Sequence, residues 1–496
     1  MINRVGCVLG AAVIAAGLAE PAAADGIGLA QVVKVTLAAS PELKLAATQV
    51  EITDGALLAS GAIFDLTLTA TATASRTNPL DGTGQPAIEK DLIVTAGVQR
   101  LLRNGVLLTS DVSLTRSLLS HSLGANADLA DVRLAATIPL WRDRGGVSSA
   151  AAEQAAARDQ ESARWELRHT AAQQVLAAVA AYWDYQAAHA RLAVLRSSET
   201  RADRTVEETR NLVAADERTP ADLIQLQGNA ASKRVTRISA EQDLINARTA
   251  LGLAMGLPAD AIAALPPPAT EFPKPGDAAP LDASRLIGDA YRGRADLAAA
   301  EQDTHAASIR LEAARSDLRP RLDLILKTGY RSTEADDGLD RFLYTVNQHQ
   351  PRLDGLVELR LELPFVNSAA RGLVAQTTAI QAQRDITRDD LRRKIAAGVA
   401  TGMEAVAHAA AAMREAEEAV RLFEAGVQAV QRKFQLGAST LFDLIQAQDQ
   451  LTNALLAQVQ SQHDHAVAIA ALRFQAGRLV EGDTFQVTAA DLVTPP

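Results

Sequence analysis

The sequence predicts an α+β chain written twice over, each half running helix, strand, strand, very long helix and shorter returning helix. Three observations predict it. Some ten-residue runs alternate strictly between apolar and polar side chains. Stretches of about 70 residues keep a three- and four-residue apolar period. The phrase T-x-x-D-L-I-Q-x-Q occurs twice, in one ungapped register: Thr219, Asp222, Leu223, Ile224, Gln225 and Gln227 fall on Thr440, Asp443, Leu444, Ile445, Gln446 and Gln448. At the same offset Ala247, Leu251 and Gly256 fall on Ala468, Leu472 and Gly477. A match held over that span indicates an internal duplication.

The first segment is an export signal. MINR supplies a positive start, an apolar run of about 15 residues follows, and AAA before Asp25 sets cleavage after Ala24. The run is shorter than the roughly 18–20 residues that a spanning helix needs. The only cysteine, Cys7, lies inside residues 1–24, so the processed chain has no disulfide. No later segment is expected to cross a bilayer as a helix. An exported chain of this kind enters a membrane only as strands.

The strands carry that possibility. Leu66, Leu68, Ala70, Ala72 and Ala74 alternate with Thr67, Thr69, Thr71, Thr73 and Ser75, which gives one apolar and one hydroxyl face over a bilayer-length run. The spans 62–75, 128–139, 320–331 and 353–364 read alike. In the last, Val357, Leu359, Leu361 and Leu363 face one way, and Glu358, Arg360 and Glu362 the other. Between the first two lies another alternating pair, within 92–117, turning at Asn104-Gly105, a hairpin signal.

Helices fill the rest. A first helix is expected from about Leu29 to Gly61. From Gly146 to about Ala215 there is no proline, and about 70 residues of helix is roughly 100 Å, which implies a coiled-coil-like bundle. Thr219 opens a returning helix that stops at Gly256. Residues 257–283, rich in proline and alanine, read as a linker. The second half repeats the order with a helix over 281–317, a long helix over 367–436 and a last one over 440–477. The domains are therefore 1–24, 25–256, 257–283 and 284–496.

The repeated motif has a local meaning. Threonine followed three residues later by an acid, ahead of an apolar run, is a capping box. The threonine oxygen takes a free amide, and the acid sits where the helix dipole favours negative charge. Pro220 stands at the first helical position, where its missing donor costs nothing. Each motif thus marks the tip of a helical hairpin.

Composition narrows the function. The chain is 48% apolar but only 3% aromatic and rich in alanine, which favours many close helix contacts over one large core. A net charge of −10 without a basic cluster disfavours nucleic acid. No G-x-S-x-G, H-E-x-x-H, phosphate-binding or dinucleotide glycine loop is present, so no catalytic residue, cofactor or metal site is expected. His463-Asp464-His465 places its histidines two apart, on different helix faces, and reads as a packed or solvated stretch. Trp141 reads as a membrane-interface residue, Trp165 and Trp183 as helix packing, and Glu415, Glu417 and Glu418 as a solvated face.

Signal, duplicated strand pairs, long hairpins and G-A-S-T-L-F-D-L-I-Q-A-Q together resemble the TolC family of outer-membrane efflux proteins over nearly the whole processed chain. Pro139-Leu-Trp-Arg and Leu363-Pro-Phe resemble its strand-to-helix junctions. The resemblance implies a trimeric transmembrane β-barrel with four strands per chain, twelve in all, continuous with a long periplasmic α-helical barrel. It places the protein in the outer membrane of a Gram-negative bacterium, in contact with outer-membrane lipid. The function implied is a passive exit duct for efflux or type I secretion, partnered by a periplasmic adaptor and an inner-membrane transporter.

At the periplasmic aperture the resemblance implies acids near the helix tips: Asp443 and Asp222, framed by Thr440 and Thr219. A further acid of the family is Gln446 here, and an Arg and a Tyr that help hold the tips shut in some members are Ser439 and Phe434. In the barrel, Glu358, Arg360 and Glu362 would face a water-filled lumen. The pair within 92–117 is placed as an extra hairpin near the extracellular end. The alternative, a soluble periplasmic adaptor, would share the long coiled coils but lack four bilayer-length strands.

Overall fold

The computed structural model describes residues 26–78, 88–119, 127–275, 282–334, 352–436, 438–480, 485, 487 and 493–496. The expected signal 1–24 and its cleavage site lie outside these residues. Two compact units are formed. One comprises Met1–Val50, Ala163–Ala299 and Asp389–Pro496; the other comprises Glu51–Ser162 and Ala300–Arg388.

The second unit holds a single antiparallel sheet of six strands in simple sequence order. They are β1 Thr67–Thr77, β2 Glu89–Leu101, β3 Leu107–Leu119, β4 Ala127–Pro139, β5 Arg321–Glu334 and β6 Arg352–Glu362. The expected sheet of four strands is therefore incomplete. The hairpin expected near the extracellular end is β2–β3, and it sits in the sheet between β1 and β4. Each arm pairs along nearly its whole length, from Thr67↔Gln99 to Thr77↔Glu89 on one side and from Leu107↔Thr137 to Ser117↔Ala127 on the other. Sequence alternation identified these strands correctly, but alternation says nothing about which neighbour a strand pairs with. Their turn, closed by Gly105 N–H to Leu102 O at 2.9 Å, lies beside Pro139 and Asp143, where β4 leaves the sheet.

Before β1, residues 61–64 form a short 3-10 turn rather than strand, with Phe64 buried beneath the Arg103 guanidinium. A bidentate Arg103–Glu153 pair at 2.7 Å ties the hairpin turn to the first turn of the following helix.

The first unit is helical, and residues 51–60, 151–162, 300–317 and 368–388 of the helices that follow belong to the second. The expected first helix is two, α1 Leu29–Ala39 and α2 Pro41–Ser60. Pro41 forces the residue before it out of the helical region, and Ser40 is extended at ψ 125°. The long helices are α3 Ala151–Ala214 and α4 Pro220–Ala254, followed by a short α5 Ala259–Ala263. In the second half, the helix expected over 281–317 is likewise broken, at Arg294, into α6 Ala283–Gly293 and α7 Ala295–Asp317. Then come α8 Ser368–Gln435 and α9 Leu441–Gln475.

The main core of this unit joins Val32 and Val33 of α1, Val179, Tyr182 and Trp183 of α3, Leu251 of α4 and Ala466 of α9. The segment read as a linker is packed against it over its described part. Pro268 bridges Ile27, the Tyr182 hydroxyl donates to Ile27 O and accepts from Thr270 N, and Phe272 stacks on Trp183. One expectation about helices needs correction. Within α8 an 18-residue window has a mean hydropathy of 1.3, enough by length and composition to cross a membrane. Alanine supplies much of that helix's apolar content, and alanine serves close helix packing as readily as lipid contact.

Candidate functional site: a two-faced sheet and a shared helical tip

Directly paired strand residues point to the same side, so the register sorts the six strands into two faces. One face carries Leu68, Val98, Leu134, Leu326 and Val357; the other carries Thr71, Thr95, Ser113, Asp131, Arg331 and Glu358. The polar face is laced with ion pairs. Asp131, nearly buried, accepts from Arg133 and from Arg331 at 3.2 Å, across β4 and β5. Glu358 accepts from Arg360 at 2.8 Å and from Lys327 at 3.4 Å, across β6 and β5. Glu358, Arg360 and Glu362 therefore share one face, as their alternation predicts. Charges on a face whose reverse is aliphatic are what a strand wall between lipid and water requires. Trp141 and Phe365, both exposed, stand just beyond the ends of β4 and β6.

In the helical unit the two motif copies meet. Leu223 and Leu226 of α4 pack with Leu441 and Leu444 of α9, together with Ala202 and Val206 of α3 and Phe434 of α8, in one small core. The apolar half of D-L-I-Q thus glues the two hairpin tips together, and the acid half stays outside it. Asp443 is exposed and Asp222 half-exposed. Both threonines are N-caps with extended backbones, Thr219 at φ −83°, ψ 147° and Thr440 at φ −82°, ψ 160°.

The caps differ in one respect. Thr440 Oγ1 accepts from Asp443 N at 3.2 Å, and the Asp443 carboxylate accepts in return from Thr440 N at 2.9 Å. Thr219 Oγ1 accepts from Asp222 N at 3.3 Å. The reciprocal bond that completes the box is present in the second copy only. Bonds from the Thr440 hydroxyl and amide, and from the Ser439 hydroxyl, outweigh burial and hold the Asp443 carboxyl below its usual range. Gln446 is exposed one turn further along α9.

Sequence reasoning missed the residues that tie one hairpin to the other. The Arg218 guanidinium lies 4.5 Å over the Phe434 ring. Lys233 of α4 reaches Asp449 of α9 at 2.5 Å, and Ser198 of α3 bonds Thr452 of α9. These partners lie more than 200 residues apart, and neither repeat offers a signal for them.

The motif histidines behave as helix packing. His463 is bracketed by carboxylates, Asp184 of α3 at 2.8 Å and Asp464 at 3.0 Å, and His465 is buried. Trp183 is fully buried, Trp165 is half-covered by Arg168, and Glu415, Glu417 and Glu418 are exposed.

A sheet with one lipid-compatible and one charged face, in a chain with helices of 64 and 68 residues, is a combination of strand wall and long helical hairpins. Residues 286–478 match the family described as Outer membrane efflux protein. The fold agrees over nearly the whole chain. The outer membrane protein VceC from the bacterial pathogen Vibrio cholerae is 18% identical, with a TM-score of 0.66 over 90% of this chain and 96% of that one. The Campylobacter jejuni CmeC outer membrane channel is 14% identical, with a TM-score of 0.67 over 91% and 85%. The open state of the Neisseria gonorrhoeae MtrE outer membrane channel is 17% identical, with a TM-score of 0.62 over 90% and 88%. No curated protein matches the chain. The second half of the chain thus resembles the outer membrane efflux protein family, the fold of the whole chain resembles that of outer membrane channels, and the soluble adaptor reading is not favoured.

Proposed function

We propose that the protein is a passive exit duct, without catalysis of its own, for a tripartite efflux or type I secretion system. In this reading three copies assemble in the outer membrane, their strands walling a pore and their helices enclosing a tunnel through the periplasm. A periplasmic adaptor and an inner-membrane transporter supply cargo and energy. The observation that carries it is the sheet, largely aliphatic on one side and charged on the other, with both edges unpaired among the described residues. The processed protein should fractionate with outer membranes, run as a heat-sensitive trimer in detergent, and conduct ions in a planar bilayer. A soluble monomer would overturn the proposal.

Within this reading the helical tip is the periplasmic aperture. Three copies each of Asp222 and Asp443, held near one another in a narrow mouth, attract cations and repel anions, since a charged constriction focuses the field. Thr219 and Thr440 hold the acids at the helix starts, and the exposed Gln446 leaves the next turn uncharged. The supporting observation is that the tips share one core while the carboxylates stay outside it. In single-channel recordings the double variant Asp222→Asn/Asp443→Asn should lose cation selectivity and divalent block. Wild-type selectivity in that variant would leave the acids as helix caps only.

A further inference from the structure

The expectation of four barrel strands per chain treats β2–β3 as an accessory, and the geometry points elsewhere: we infer that all six strands line the pore, so that three copies close an eighteen-stranded barrel through seams of β1 against β6. The inference rests on the channel reading above and deepens it.

Two observations carry it. The first is continuity of the faces through the hairpin. Ala72 pairs with Val94, Val94 with Leu114 and Leu114 with Ala130; one residue over, Thr71 pairs with Thr95, Thr95 with Ser113 and Ser113 with Asp131. Thr95 Oγ1 also donates to Ser113 Oγ at 3.3 Å, along the polar side. A hairpin outside the bilayer would have no need of a largely aliphatic face matching that of β1 and β4. At 13 residues each, β2 and β3 span about 33 Å at a tilt of ~40°, enough for the apolar band of an outer-membrane barrel.

The second observation is the edges. Among the described residues β1 pairs only with β2 and β6 only with β5, so each exposes a row of amides and carbonyls along 11 residues. β1 is exposed throughout, as are Leu353, Val357, Leu359 and Leu361 of β6. Hydrocarbon offers these backbone groups no partner, so the sheet must close. Within one chain six strands leave no open lumen. A second copy presenting β6 to β1 supplies an antiparallel partner of equal length, apolar face continuing apolar face. The consequence is width. At a strand spacing of ~4.8 Å and a tilt of ~40°, eighteen strands put opposite backbones about 36 Å apart, against about 24 Å for twelve.

The experiment uses the processed chain, which has no cysteine once residues 1–24 are removed. Single cysteines replace Thr71 and Ala72 in β1, Val94 and Thr95 in β2, and Val112 and Ser113 in β3. In native outer membranes a water-soluble maleimide should label Thr71→Cys, Thr95→Cys and Ser113→Cys, and spare Ala72→Cys, Val94→Cys and Val112→Cys. Alternation in β1 with labelling on both faces of β2 and β3 would overturn the inference and leave the channel reading standing. Loss of alternation in β1 as well would sink both. The seam is read separately, by pairing cysteines at Thr69, Thr71 or Thr73 with cysteines at Glu358 or Arg360. At least one combination should yield oxidised, SDS-resistant trimers. Absence of cross-linked copies in all six would exclude the seam.

Discussion

Asp222 and Asp443 hold the same place in two matched sequences, yet their local bonds are not the same. The Asp443 carboxylate closes a reciprocal box with Thr440, whereas at the first tip only the threonine-to-amide bond is made. Losing a threonine cap costs typically about 1 kcal/mol. Thr440→Ala should therefore cost about that much and Thr219→Ala less, measured as melting of the assembled protein in detergent. His463 makes a second residue-scale prediction. Both ring nitrogens face carboxylates, which only accept, so the doubly protonated ring is the form that bridges α3 to α9 through both bonds. Its bond to Asp184 works against partial burial, and together with Asp464 it raises the imidazole pKa above 6.5. A raised folded-state value means the stabilisation is complete below about pH 6.5 and is lost as pH rises through the raised pKa. Thermal stability should fall between pH 6 and pH 8.5 by more in the wild type than in His463→Gln. Equal slopes would remove the histidine from the account.

At the scale of elements, the ends of the returning helices repeat faithfully. α4 and α9 both finish on a glycine in the left-handed region, Gly256 at φ +72° and Gly477 at φ +69°, the pair already matched by the sequence offset. In each, the following amide reaches back: Leu257 N to Gly252 O, and Arg478 N to Arg473 O, both at 2.9 Å. A side chain is disfavoured there by about 1–2 kcal/mol. At both sites an added Cβ would also meet backbone, Ala39 O at 2.9 Å and Gly293 C at 2.8 Å. Gly256→Ala and Gly477→Ala should each lower stability by at least that amount, whereas the exposed, uncontacted Gly228→Ala inside α4 should not. The ties between hairpins belong to this scale too. Lys233→Gln removes the α4–α9 ion pair with Asp449, and Arg218→Ala uncovers Phe434. If these contacts hold the tips together, each variant should raise single-channel conductance, the pair more than either alone. Unchanged conductance in the double variant would assign them to packing only.

For the whole molecule, the division of labour follows from composition. Alanine-rich helices build the helical unit by close approach, with Tyr182, Trp183 and Phe272 supplying bulk in its main core. The strands place most of their aliphatic residues on one face of the sheet, where Leu353, Val357 and Leu359 are exposed in the single chain. Such a surface is a liability in water and a fit for lipid. The isolated chain should therefore aggregate without detergent after export, while a detergent micelle should keep it dispersed, as measured by light scattering.

The sequence by itself determined what short-range chemistry controls. Period-two alternation located all six strands, proline-free periodicity located α3 and α8, and the threonine motifs located the starts of α4 and α9 to within a residue. It overran where a single local conflict decides, as at Pro41, which splits the first helix. Tertiary structure alone decided the neighbours. An alternating strand is legible from its own residues, but its partner is chosen by backbone hydrogen bonds to a chain segment anywhere in the sequence. That is why β2–β3 could be recognised as a hairpin and still be left out of the sheet. For the same reason Lys233 and Asp449, or Asp131 and Arg331, could not be paired in advance. Long-range contacts leave no periodic trace, because each satisfies a partner's geometry rather than its own segment's pattern.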